Sequence, residues 1–249
     1  MADGTEAGAS LIDSMRALAD GSRLSLVIAV HNGRNYLAEA LESVFAQARR
    51  PDEIILVDDG STDDTVAIAA RYGQQIRTVR QAQAGTPAAR NRGLTETSGD
   101  LIAFLDHDDL LPPDSLALRL EALMEHDSIA YVFGVVERFV SPELELPSRS
   151  RLPANAPEIA GRIAGATMFR RQAFAAIGGF TETLRGGYMI DWMGRAEAGG
   201  LCYRAIDTCV LRRRIHADNY VHDIKALEQN YLDALRMVVR QRKVAGGPQ

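Results

Sequence analysis

From Leu24 to Leu105 the chain repeats one unit: an apolar, β-branched run, a turn, then a segment with helical spacing. Leu24–Val30, Glu53–Val57, Ile76–Val79 and Leu101–Leu105 read as strands. Between them, Tyr36–Ala46, Asp64–Tyr72 and Pro87–Thr97 read as helices, with Leu37, Ala40, Leu41, Val44 and Phe45 lining one face of the first. Strands that alternate with helices in this way specify an α/β fold, a parallel sheet covered by helices on both faces.

After Asp109 the beat breaks. Pro112-Pro113-Asp114 starts a helix, and Ile129–Val136 is a strand. Residues 141–160 carry four prolines and two arginines, the composition of a loop. Ala164–Phe169 reads as a strand before a helix ending at Gly178-Gly179, and a helix over about Met189–Ala198 ends at Gly199-Gly200. Strands near Leu201–Ala205 and Thr208–Arg213 follow. Leu11, Ile12, Met15 and Leu18 outline a short helix in an N-terminal extension over residues 1–22. A C-terminal helix over about Asp223–Arg242 lies within residues 216–249. Residues 23–215 are read as the domain proper, with a nucleotide-type half over 23–110 and a less regular half over 111–215.

The chemistry concentrates where strands end. Leu101–Leu105 runs into Asp106-His107-Asp108-Asp109, so two carboxylates one residue apart stand at a carboxyl end, where open α/β sheets bind ligands. Paired hard oxygens suit Mg²⁺ or Mn²⁺, which bind through one or two carboxylates plus substrate phosphates. Val57-Asp58-Asp59-Gly60-Ser61-Thr62-Asp63 closes the second strand. A carboxylate there can accept from a base N–H or a ribose hydroxyl; equally, Asp58 can anchor the turn, and Asp63 is read as a helix N-cap. Gly85–Gly93 opens a helix with Arg90 and Arg92 in its first turns, an arrangement that favours anions.

Bulk properties narrow the classes further. The 249 residues are 46% hydrophobic and 24% charged with net charge −5, ordinary for a globular enzyme and without the basic surface that nucleic acid needs. No apolar run reaches the ~20 residues of a spanning helix. The acidic start, Met-Ala-Asp-Gly-Thr-Glu, lacks the basic region of a secretory signal. Cys202 and Cys209 are read as buried thiols of a reducing compartment. These features point to a cytoplasmic protein.

Six motifs in order resemble family 2 glycosyltransferases of the GT-A fold. They are His31-Asn32-Gly33, the acidic run at 57–63, Ala-Arg-Asn-Arg-Gly at 89–93, Phe-Leu-Asp-His-Asp-Asp at 104–109, Gly-Gly-Phe-Thr-Glu at 178–182, and Asp191-Trp192. The resemblance covers about residues 24–215. It implies a Rossmann-like nucleotide-binding half with a mixed central sheet, a smaller acceptor-binding half, and inverting, metal-dependent transfer from a nucleotide-diphosphate sugar, above all a UDP-sugar. It implies that Asp59, with Asp58 beside it, contacts the donor's base, and that Ala29 lines the base pocket with His31 and Asn32 nearby. Arg90 is placed near the diphosphate. Asp108 becomes the direct metal ligand of an Asp-x-Asp motif, Asp106 the holder of ribose or metal-bound water, and His107 the spacer. His216 is a candidate ligand to the metal or the diphosphate, and Asp191 the general base on the acceptor hydroxyl.

The chain departs from the family pattern in three places. Ile190 stands where an acid usually precedes the base, and Ala29 and His31 replace the usual Pro and Tyr. No Gln-x-x-Arg-Trp motif follows, so processive polymer synthesis is not expected. Two alternatives remain: a glycosyltransferase-like subunit that binds nucleotide without transfer, and a phosphatase of the haloacid dehalogenase type, against which Leu110 and the late position of the acidic pair count. The acceptor is not legible; glycan, lipid, peptide and small molecule all stay open. The C-terminal helix, with its basic Arg240–Lys243 end, can pack on the domain, pair with a second copy as a homodimer, or touch an anionic membrane surface as a peripheral contact.

Overall fold

A computed structural model describes residues 21–144, 157–158, 162–184 and 186–217. The expected N-terminal helix, the C-terminal helix and most of the 141–160 loop lie outside the described residues. The strands are β1 (Leu24–Val30), β2 (Glu53–Asp59), β3 (Arg77–Gln81), β4 (Leu101–Asp106), β5 (Ile129–Val140), β6 (Pro157–Glu158), β7 (Thr167–Arg170) and β8 (Cys202–Ile215). The α-helices are α1 (Leu37–Phe45), α2 (Thr65–Ala70), α3 (Thr86–Glu96), α4 (Ser115–Met124), α5 (Arg171–Ile177) and α6 (Tyr188–Ala198).

One eight-stranded sheet runs in the order β3-β2-β1-β4-β7-β5-β6, with β8 paired to β5. The first four strands in that order are parallel, as the alternation requires. Strand β7 is antiparallel to both β4 and β5, so the sheet is mixed. All seven residues of β1 are buried, which is why its sequence is apolar at every position but Ser25 rather than alternating. One face packs on Leu37, Leu41 and Val44 of α1 and on Leu116, Leu120 and Leu123 of α4. The other packs on Ala89 of α3, Phe174 of α5, and Trp192 and Ala196 of α6.

Several boundaries differ from expectation. The helix expected over Asp64–Tyr72 stops at Ala70 and passes into a 3₁₀ turn at Gly73–Gln75. Asp63 is not the N-cap position, which falls on Asp64, yet its Oδ1 accepts the Thr65 N–H at 3.0 Å and so satisfies that end of the helix. The first half of Ala164–Phe169 is a 3₁₀ turn, and the strand begins at Thr167. The two strands expected near 201–205 and 208–213 are one, parallel to β5. Phe133 pairs with Ala205 and Val135 with Cys209, so the polar Asp207-Thr208 step is absorbed as a bulge instead of breaking the strand. Its first half is largely uncovered, which corrects the reading of the cysteines: both thiols are free, Cys202 is exposed and Cys209 half-buried.

Candidate functional site

Strand β1 ends between β2 and β4. Ala29 pairs with Val57 on one side and with Asp106 on the other, and Val30 pairs with Asp58. The topology thus delivers Asp58-Asp59 and Asp106–Asp109 to the same carboxyl-terminal edge of three adjacent strands.

Asp58 and Asp59 are buried. Asp58 accepts the Ser61 N–H at 2.9 Å and pairs with Arg80 Nε at 2.9 Å. Asp59 accepts the N–H groups of Ala84 and Gly85, each at 2.8 Å, and the Gln81 side-chain amide at 2.8 Å. Asp59 therefore holds the loop that enters α3, whose N-cap Gly85 sits at φ 96°, a backbone state that favours glycine. These bonds make Asp58 and Asp59 the frame of the crevice. His31 Nδ1 lies 2.9 Å from the Asp59 carbonyl, while its Nε2 receives the Asn32 and Gln83 amides, each at 3.2 Å. Two donors on Nε2 fix the tautomer that carries its proton on Nδ1. Asn32, in the left-handed region at φ 55°, donates its N–H to Ser61 Oγ and accepts the Thr62 N–H, both at 2.9 Å.

On the other side of β1, Asp106 Oδ1 accepts from the Arg90 guanidinium at 2.5 Å. Arg90 is 1% exposed and also donates to the Tyr188 hydroxyl at the start of α6. Its guanidinium carbon lies 5.2 Å from the Tyr188 ring centroid and 5.9 Å from that of Phe104. Burial opposes the charge on Arg90, but Asp106 and Tyr188 outweigh it and raise its pKa above the ordinary value. Arg90, expected near the diphosphate, is thus enclosed by rings and a phenol and paired with Asp106, which is itself about one-third exposed.

Asp108 and His216 meet across long sequence distance, with Asp108 Oδ2 3.0 Å from His216 Nε2. Burial raises the Asp108 pKa, but the His216 hydrogen bond and then the His107 charge win and hold it down at about 2. Arg214 stitches β8 to this loop: its N–H reaches Asp109 Oδ1 and its Nε the Asp108 carbonyl, each at 3.0 Å, while its guanidinium pairs with Glu39. Tyr36 lies under both, its ring centroid 4.6 Å from that of His216 and 4.8 Å from the Arg214 guanidinium carbon. Burial, with Asp108 and Asp106 beside it, pushes Asp109 well above the usual carboxylate range. His107 turns toward the β1–α1 loop; a Cβ on Gly33 would meet its ring at 2.9 Å.

Among the described residues no three His, Cys, Asp or Glu side chains form a cage for a metal ion. The donors present suit a hard cation that takes few protein ligands and completes its shell with phosphate oxygens and water. Asp106 and Asp108 are the oxygen donors that fit, and His216 the nitrogen donor beside them.

Asp191 is the residue expected to act as general base. It is fully buried on α6, its Oδ2 accepting from Thr181 Oγ1 at 2.7 Å and from Arg195 Nε at 3.1 Å. Arg195 in turn donates to the carbonyls of Ile177 and Gly179. The carboxylate expected to be the general base therefore anchors α6 to the α5 turn. Trp192 is likewise a core residue, with Nε1 donating to the Gly178 carbonyl at 3.0 Å. Tyr188, Tyr36, Arg80 and Arg195 escaped the sequence reading; of these only Arg195 carried a signal, its i,i+4 spacing from Asp191.

A mixed sheet of this order with an acidic pair beyond β4 defines a GT-A glycosyltransferase domain. The model of glycosyl transferase family 2 matches residues 25–178, and the chain belongs to that family, which sets the phosphatase alternative aside. An uncharacterized glycosyltransferase of Rickettsia conorii is 30% identical over 174 residues, covering 65% of this chain and 29% of the relative. Glycosyltransferase GlyA of Streptococcus pneumoniae is 32% identical over 109 residues, 43% of this chain and 16% of that protein. The matched part thus spans under a third of the length of these relatives. Among solved structures, S. aureus TarS 1-349 in complex with UDP-GlcNAc superposes with a TM-score of 0.66 at 18% identity, over 88% of this chain and 66% of the other. Glucosyl-3-phosphoglycerate synthase from Mycobacterium tuberculosis, in complex with Mn²⁺, UDP and phosphoglyceric acid, does so with 0.63 at 22% identity, over 96% and 84%. At these identities the likeness establishes the fold.

Proposed function

We propose that this domain transfers a sugar from a nucleotide-diphosphate donor, of the UDP class, to an acceptor nucleophile, with a divalent cation of the Mn²⁺ or Mg²⁺ type at Asp106 and Asp108. The observation that carries the reading is the meeting of Asp108, at the end of β4, with His216, just past β8. Two distant segments converge on one carboxylate at the sheet edge where ligands bind, an arrangement the hydrophobic core does not require. The complexes of the two structural neighbours, one with UDP-GlcNAc and one with Mn²⁺ and UDP, support the donor class.

When bound, the cation supplies positive charge against the charge that develops on the departing diphosphate. The chain's own residues do the rest. Asp106 is oriented by Arg90, Asp108 by His216, and the loop carrying His31 and Asn32 forms the wall held by Asp59. The acceptor hydroxyl oxygen bonds to the anomeric carbon as the bond from that carbon to the diphosphate oxygen breaks; the electron pair leaves with the diphosphate, and the hydroxyl proton passes to water. Displacement in a single step inverts the anomeric centre. Asp191, paired inside the protein, is not assigned the proton.

The test is a donor-hydrolysis assay over a panel of nucleotide sugars with and without Mn²⁺. Metal-stimulated release of nucleoside diphosphate is expected from at least one UDP-sugar; none from any donor would overturn the reading. A second reading, nucleotide binding without transfer, is favoured by the buried Asp191 and by Ile190, which leave α6 without the expected base. Tight metal-dependent UDP binding with no turnover would decide for it.

A further inference from the structure

The arginines near the acidic edge are nearly all accounted for. Arg90 pairs with Asp106, Arg80 with Asp58 and Arg214 with Glu39. Arg212 stacks on Phe139, 4.7 Å from the ring centroid, and lies across the strand pair from Glu137. Arg213 differs, because among the described residues its guanidinium has no ion pair and no hydrogen bond. Its cross-strand partner on β5 is another cation, Arg138, and both are half-buried. Like charges opposite each other on paired strands are destabilising. Burial, and next to it the Arg213 charge, push the Arg138 guanidinium below its ordinary value.

The backbone here is held firmly. Arg212 exchanges both backbone hydrogen bonds with Leu110, at 2.8 and 2.9 Å, and the Arg214 N–H is bound by Asp109. Arg213 is therefore fixed between two residues that are stitched to the acidic loop, and its field reaches Asp109 and the Tyr188 hydroxyl. Its neighbours, β5, β8 and the start of α6, all belong to the second half of the domain, across the sheet from Asp58 and Asp59. A half-buried cation with no ion pair or hydrogen bond among the described residues, beside a ligand crevice, matches a substrate anion.

We propose that Arg213 receives a phosphate or carboxylate group carried by the acceptor, so that the acceptor is an anionic molecule. This rests on the donor reading above, which puts the nucleotide on the other half. The test uses calorimetry on the full chain, titrated with inorganic phosphate alone and again with saturating UDP and Mg²⁺. Phosphate is expected to bind in both conditions. Arg213→Gln should weaken it about tenfold, the scale of one charge-assisted hydrogen bond, and Arg213→Lys should restore part of the loss. UDP affinity should not change in either variant, and the thermal midpoint should not fall. Unaltered phosphate affinity in Arg213→Gln would overturn the proposal. So would phosphate binding that saturating UDP abolishes, which would give Arg213 to the donor's diphosphate. Failure of UDP to bind the unmodified protein would sink the donor reading instead, and the titration without nucleotide would still decide whether Arg213 holds an anion.

Discussion

Asp191 and Arg195 stand one helical turn apart on α6 and are joined at 3.1 Å, with the carboxylate wholly buried and the guanidinium tied to two carbonyls of the α5 turn. The pair fastens the helix that carries Tyr188 to the body of the domain, and Tyr188 in turn holds Arg90 against Asp106. One ion pair in the core thus sets the position of an acidic side chain at the crevice.

Asp191→Asn should therefore act on stability. Removing one partner of a buried pair leaves the other uncompensated, at a cost of about 3 kcal/mol. Thermal unfolding of the variant should show a midpoint several degrees lower, with UDP affinity retained below the transition. An unchanged midpoint together with abolished transfer would return Asp191 to the role of base.

Gly93 tests the packing of α3. A Cβ there would lie 2.2 Å from Val27 Cγ1 and 3.2 Å from Val57 Cγ2, so the helix that positions Arg90 rests directly on β1 and β2. Gly93→Ala should destabilise by about 1–3 kcal/mol through overpacking, despite alanine's better helix propensity. A denaturant midpoint at or above that of the unmodified protein would contradict this contact.

How far the sequence could be read follows from the same physics. β1 is legible to the residue, and β4 to within one, because a strand buried on both faces is apolar at nearly every position. β8 is not, since its bulge hides continuity behind Asp207-Thr208. The Ala-Arg-Asn-Arg-Gly motif reads as an anion site from composition, whereas Arg90 is buried and Gly93 is there for close packing. The Asp-x-Asp pair is visible locally. The approach of His216 to Asp108 is visible only as a resemblance, since it depends on where β8 ends relative to β4, a relation set by topology. The burial of Asp191 and its partner one turn away are features of the fold that its place in a motif does not show.

Glu53 gives a pH signature remote from the crevice. Burial raises its pKa, but the Ser25 hydroxyl at 2.5 Å and the N–H groups of Ser98 and Gly99 at 2.6 and 3.0 Å prevail and lower it below the ordinary 4.5. A carboxyl whose folded pKa is depressed contributes stability above its unfolded pKa, and loses it as pH falls through the folded value. Glu53→Gln should lower stability at neutral pH and flatten the acid limb below pH 4.5. Parallel stability curves for the two proteins through that range would contradict the assignment.

The central claim is that the acidic loop after β4 holds a cation that in turn holds a nucleotide diphosphate. It is tested most directly by titrating UDP into the protein with Mn²⁺ and again with a chelator, for the unmodified chain and for Asp108→Asn. Binding should require the metal, and the substitution should weaken it by at least about tenfold, or 1.4 kcal/mol. UDP binding of equal strength in all these conditions, or none in any, would contradict the account.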